Sequence, residues 1–190
     1  MSEPIGPGAF VAVVGASGVG KDALLSYARE HSGDLARFPR RIITRPPGPG
    51  EDHEPVSEEL FAQARDRGDF AVYWQAHGLR YGILASVDAE VRDGRVVVVN
   101  VSRAVIDELA GRYRRLVVVR VTVSAEVRAR RLRARGREPE PGIGQRLARQ
   151  DPAPGHRVDA VIENDGTLAE GGAQLVRVIN DAAARPAAAR

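Results

Sequence analysis

Apolar and polar positions along this chain fall into alternating blocks. Ala9 to Val14 is an unbroken apolar run, and near-continuous valines recur at Val96 to Val99 and Val117 to Val119. A strand that buries one face alternates apolar with polar residues, whereas a strand covered by helices on both sides reads as a continuous apolar run. Stretches with helical spacing separate these runs. The pattern predicts strands over 9–14, 70–75, 96–100, 116–122 and 159–163, with helices over 21–31, 57–67, 103–112, 125–135 and 167–183. Alternating strands and helices predict an α/β fold, a parallel sheet flanked by helices. The Pro- and Gly-rich segment 39–57 reads as a structure-poor loop, and residues 1–8 and 182–190 as frayed ends.

The 190 residues suit one domain with a small lid, and neither a repeat nor a linker divides them. Without cysteine the chain has no disulfide and no thiolate metal site, which fits a reducing compartment. No apolar run approaches the ~18 residues of a membrane span, and no basic region precedes an apolar one at the N-terminus, so a cytoplasmic location is expected. The 28 basic and 25 acidic residues are intermixed, leaving a net charge of +3, and nine aromatic side chains (four Phe, four Tyr, one Trp) offer little stacking surface. Nucleic acid and membrane are therefore not expected partners; an anionic small molecule is. Composition leaves the assembly state open, a homodimer included.

The run Ala9 to Val14 feeds into Gly15-Ala16-Ser17-Gly18-Val19-Gly20-Lys21-Asp22, and a helical pattern follows. Strand, glycine loop and helix in that order make a phosphate cradle, because loop amides and a helix N-terminus converge on one anion. The chain satisfies G-x-x-x-x-G-K-[ST] up to Lys21 and then departs from it with Asp22. Lys21 is the only lysine among the 28 basic residues. A compact ammonium has been kept where a point donor must fit between phosphate oxygens and a forked guanidinium would not.

Two further stretches carry chemistry. Arg128, Arg131 and Arg135 share one helical face, and with Arg130, Arg133 and Arg137 they form the densest basic cluster of the chain. Such a cluster is either a solvated helix end or a set of cations that closes over developing phosphoryl charge. In 40–57, Arg40, Arg41 and Arg45 stand near Glu51, Asp52, His53 and Glu54. His77 precedes Gly78 and reads equally as a hydrogen-bonded turn residue; no metal-ligand spacing and no Ser/His/Asp triad is evident.

Together these motifs resemble the guanylate-kinase family from the P-loop to Asn164. Ile43-Thr44-Arg45-x-Pro47 is similar to its acceptor-phosphate segment, Asp52-His53-x-x-Val56-Ser57 to its D-Y-x-F-V-S, and His77-Gly78-x-x-Tyr81-Gly82 to its H-G-x-x-Y-G. Arg131-Leu132-x-x-Arg135-Gly136 resembles its lid, Arg146-Leu147 follows as in the family, and 159–164 resembles its last strand and the loop beside the adenine. The departures are informative. Where guanylate kinases read the guanine edge with polar groups, this chain has Pro39, Val72 and Ile83, and Asn100 replaces a strand-end Asp. A site without those partners gives a base no reason to bind, the situation in which discrimination reaches about 10⁴-fold.

The more specific resemblance is to the ribose 1,5-bisphosphate phosphokinases of phosphonate utilisation. The residues shared are Lys21-Asp22, Arg41 to Arg45 as R-x-I-T-R, Trp74-x-Ala76-x-Gly78-Leu79, Asn100-x-Ser102-Arg103 and Arg135-Gly136-Arg137-Glu138. The resemblance implies a P-loop NTPase fold with a core at 8–38 and 84–180, an acceptor-binding region at 39–83 and an Arg-rich lid at 131–149. It also implies transfer from ATP, with Mg²⁺, to a phosphorylated sugar. Lys21, Arg131, Arg135 and Arg146 become the expected catalytic cations. Gly15 to Asp22 and Asn164 are expected to hold ATP, and Asp22 the metal. Arg41, Arg45, His53, His77, Tyr81, Asn100 and Arg103 are the expected acceptor contacts. A phosphate acceptor is already ionised, so neither histidine is needed as a base. The alternatives are a nucleoside-monophosphate kinase and a non-catalytic binding module of the same fold.

Overall fold

A computed structural model describes residues 3–48, 51–134 and 157–184. In chain order the strands are β1 (Ala9–Val14), β2 (Ala36–Arg37), β3 (Arg41–Ile43), β4 (His53–Pro55), β5 (Phe70–Ala76), β6 (Leu79–Leu84), β7 (Val96–Asn100), β8 (Leu116–Thr122) and β9 (Ala160–Glu163). The helices are α1 (Lys21–His31), α2 (Glu58–Asp66), α3 (Val87–Arg92), α4 (Ile106–Arg112), α5 (Ala125–Ala134) and α6 (Leu168–Ala184).

Five strands form the main sheet in the order β2-β7-β1-β8-β9, and every pairing is parallel. β1 is central, and all six of its residues are buried. The alternating apolar set Ala9, Val11 and Val13 packs with Leu24 and Ala28 of α1 and Leu175 and Ile179 of α6. Phe10, Ala12 and Val14 face the opposite cluster, with Leu109 and Tyr113. The continuous apolar runs therefore have the two-sided burial that their pattern implies.

The second sheet, β4-β3-β6-β5, lies within 39–84. Here the structure differs from the loop expected over 39–57, which contributes two three-residue strands. β3 pairs in parallel with β4 and antiparallel with β6. Elements this short have no periodicity of their own, and their extended form comes from cross-strand bonds. The β5–β6 hairpin turns at His77 (φ 54°) and Gly78 (φ 74°), the left-handed pair of a two-residue turn. The N-terminal stretch is also less frayed than expected, since Ile5 donates to Arg112 O at 2.8 Å and accepts from Arg114 N at 2.9 Å.

A buried polar pin fixes α3 to α4. Asp88, 5% exposed, accepts from Arg112 Nε at 3.1 Å and from the Tyr113 hydroxyl at 2.8 Å, with a second contact between its Oδ2 and Arg112 Nη2. Burial and the neighbouring carboxylate push the Tyr113 phenol well above its ordinary range.

Candidate active site

The C-terminal ends of β1, β7 and β8 are adjacent, with Val13 in register with Asn100 on one side and Val119 on the other. The glycine loop leaves β1 at this edge. Gly20 caps α1 at φ 93°, and a Cβ there would stand 2.6 Å from Asn164 Nδ2, so the position excludes side chains twice over. Lys21 Nζ donates to Gly15 O at 2.7 Å and Ala16 O at 2.9 Å, which draws the ammonium across the loop it follows.

Asp22, in the first turn of α1, gathers two other expected site residues. Its Oδ1 accepts from Arg41 Nη2 at 3.3 Å and from Asn100 Nδ2 at 3.1 Å. The carboxylate that follows the glycine loop thus touches the amide at the C-terminal end of β7. Among the described residues no cluster of three or more His, Asp or Glu could enclose a metal. One carboxylate nevertheless fits Mg²⁺, which takes one or two protein carboxylates and completes its shell with phosphate oxygens and water.

Arginines from α5 hold the other flank of the loop. Arg131 donates to Val19 O at 3.3 Å and Asn164 O at 2.9 Å, and Arg128 donates to Ser17 O at 3.0 Å. Asn164, 4% exposed, itself donates to Val19 O at 2.8 Å. Burial lowers the Arg128 pKa from its ordinary value. Arg128 was visible in the sequence only as one of a cluster; its contact with the loop is what separates it from its neighbours. Arg135 and Arg146, with most of the segment 131–149 expected to form a lid, lie outside the described residues.

Of the residues expected to contact the acceptor, Arg41, Arg45, His53, His77 and Tyr81 lie in or beside the second sheet, and Asn100 and Arg103 at and just after the end of β7. Arg45 pairs with Glu51 at 2.7 Å and donates to Pro46 O at 2.9 Å. His53, 1% exposed, bonds through Nε2 to Arg45 O at 3.0 Å. Asp52 is held by Arg29 at 2.7 Å and Arg40 at 2.8 Å; the Arg29 hydrogen bond leads in drawing its pKa below the ordinary carboxylate value. Tyr81 stacks on Trp74 with centroids 5.4 Å apart. Arg103 opens a 3₁₀ turn just after β7. His77 is exposed at the hairpin tip, the geometry of the turn reading. A cleft lined by Asp22, Arg29, Pro39, Arg41, Asp52 and Asn100 joins this region to the P-loop.

A parallel sheet with a glycine loop, a lone lysine and arginines on the loop carbonyls defines a P-loop protein of guanylate-kinase architecture. No family model matches the chain. It is similar to the guanylate kinase of Anaplasma phagocytophilum in fold, with a TM-score of 0.67 at 16% identity over 97% of this chain and 90% of that one. It is 77% identical over 188 residues, 99% of each chain, to ribose 1,5-bisphosphate phosphokinase PhnN of Pseudofrankia inefficax. The protein of that name from Chelativorans sp. is 44% identical over 95% of this chain and 89% of its own. The chain belongs to the ribose 1,5-bisphosphate phosphokinase family.

Proposed function

We propose that this protein transfers the γ-phosphoryl group of ATP to the 1-phosphate of ribose 1,5-bisphosphate, giving 5-phosphoribosyl 1-diphosphate and ADP. Family membership supports the reaction, and one feature of the acceptor side argues most directly against a nucleotide acceptor. Val72 and Ile83, at two positions where guanylate kinases have polar base readers, are cross-strand partners, and both are 0% exposed. They form part of the core with Trp74 and Val14. Being apolar and buried, neither offers a hydrogen bond to a base edge.

In this reading the loop amides and Lys21 hold the β- and γ-phosphates, and Asp22 lies where Mg²⁺ would sit. The ion, when bound, neutralises charge on those phosphates. Arg131, on the Val19 and Asn164 carbonyls, is positioned to meet charge that spreads over the moving phosphoryl group, with Arg135 and Arg146 as further cations. Arg41 and Arg45 attract the acceptor, and Glu51 and Asp22 hold these guanidiniums until a phosphate replaces them. His53 is a structural support for the Arg45 loop through its bond to the Arg45 carbonyl. The nucleophile is a phosphate oxygen that is already anionic, so transfer proceeds without a general base.

An ADP-release assay comparing ribose 1,5-bisphosphate, GMP and gluconate tests the proposal. Turnover is expected with the bisphosphate alone; brisk turnover of GMP would refute it.

A further inference from the structure

One cation near the site is unexplained by any contact so far. Arg120 of β8 is in register with Val14, the last residue before the glycine loop. Along β8, Val117, Val119 and Val121 pack in the cluster beneath α1 and α6, whereas Val118 packs in the opposite one. Side chains two apart on a strand share a face, so Arg120 projects to the side of Val118. That is the acceptor side: the same cluster contains Val72, Trp74 and Ile83, together with Val105 of the turn that Arg103 opens.

Arg120 Nε is shut off from solvent and has no hydrogen-bond partner. Among the described residues its side chain makes neither a hydrogen bond nor an ion pair, in a chain where Arg29, Arg40, Arg41, Arg45 and Arg112 all pair with acids. Arg120 as a whole is half-buried, and its shielded Nε carries a desolvation cost that an anionic partner would offset. Its electrostatic neighbour is another cation: burial, and then the charge of Arg120, lower the pKa of Arg103. Two like charges, one just after β7 and one in register with the end of β1, suit a tetrahedral dianion, which accepts from forked donors and would relieve their repulsion.

We propose that Arg120 and Arg103 form a phosphate subsite on the acceptor side, holding one phosphate of a bisphosphate sugar while the arginines of β3 and its loop hold the other. The assignment to a bisphosphate acceptor rests on the function proposed above; the anion subsite itself does not.

The test uses Arg120→Met, Arg120→Lys and Arg103→Met in the full chain, with the P-loop filled by a non-hydrolysable ATP analogue when inorganic phosphate is titrated by calorimetry. Arg120→Met is expected to weaken phosphate binding and raise the acceptor KM by about 10- to 100-fold, with the KM for ATP within about twofold of the parent's. Arg120→Lys should retain part of the affinity. A variant Arg120→Met that melts higher than the parent, with phosphate affinity and acceptor KM unchanged, would overturn the subsite. If Arg120→Met does not fold, Arg103→Met carries the test, and an unchanged acceptor KM in it overturns the proposal. Loss of phosphate binding in a protein that never turns over ribose 1,5-bisphosphate would instead sink the proposed function and leave the subsite standing.

Discussion

Asp22→Asn removes one negative charge from the point where α1, β3 and β7 meet while preserving the size of the side chain. The structure separates two consequences. For stability, Asp22 Oδ1 accepts from Arg41 at 3.3 Å and Asn100 at 3.1 Å, and an amide oxygen can still serve one of those donors. The pair with Arg41 is partly solvated, with side chains 17% and 30% exposed, so its loss costs about 0.5–1 kcal/mol. In a chain of this length that lowers Tm by about 1–4 °C. For turnover the effect is larger, because Asp22 supplies the protein carboxylate in the proposed metal position, and an amide is a poorer ligand for a hard cation. The Mg²⁺ concentration for half-maximal rate, at fixed ATP, should rise on the order of tenfold or more. Initial rates across a Mg²⁺ series, with thermal melts of the same preparations, read both effects. A lowered Tm with an unchanged Mg²⁺ requirement would make Asp22 only a pin for Arg41 and refute its metal role.

Arg131→Ala removes a guanidinium that spans the Val19 and Asn164 carbonyls; kcat should fall on the order of 10³-fold, whereas a change confined to KM would mark a ground-state clamp. Tyr113→Phe deletes the 2.8 Å bond to buried Asp88 and should cost about 1–2 kcal/mol in chemical denaturation, with kcat unaltered. The depressed pKa of Asp52 means that its ion pairs with Arg29 and Arg40 stabilise the fold above the unfolded carboxylate value of about 3.9 and lose that contribution as pH falls through the folded value. The melting temperatures of the parent and Asp52→Asn should accordingly differ at pH 6 and converge toward pH 3; a constant gap would contradict the linkage.

The central sheet was legible because its strands are defined by burial: 9–14, 96–100 and 116–122 coincide with β1, β7 and β8. The P-loop was legible because a lone lysine after three glycines breaks the compositional habit of the chain. What escaped was set by partners distant in sequence. β3 and β4 are three residues each and exist through pairing, while β6 carries Gly82, where a Cβ would stand 2.5 Å from the Phe70 ring. β2 and α3, two and six residues long, are too short to show a period. Among site residues, nothing local distinguishes Arg128 from the other arginines of α5. Arg120 did carry a signal: it interrupts a valine-rich strand with a charge, and two-sided burial makes such an interruption expensive.

That signal belongs with others of the same kind. Asp22 stands where a hydroxyl is usual, Gly20 takes a backbone angle forbidden to most residues, Asn164 is a buried amide with an unpartnered Oδ1, and Arg120 is a charge inside a strand. Gly20, Asn164 Oδ1 and Arg120 Nε each cost stability where they stand, whereas Asp22 is paired with Arg41 and Asn100, and all four belong to the loop or to the strand ends beside it. The polar network at Asp88 is also buried, yet its carboxylate accepts from both the Arg112 guanidinium and the Tyr113 hydroxyl, so it holds α3 on α4. Burial of polar groups therefore does not by itself mark a site in this protein. An unpartnered buried atom narrows the field without deciding it: Asn164 Oδ1 and Arg120 Nε lie beside the loop, whereas Ser32 Oγ stands at the far end of α1 and His53 Nδ1 in β4.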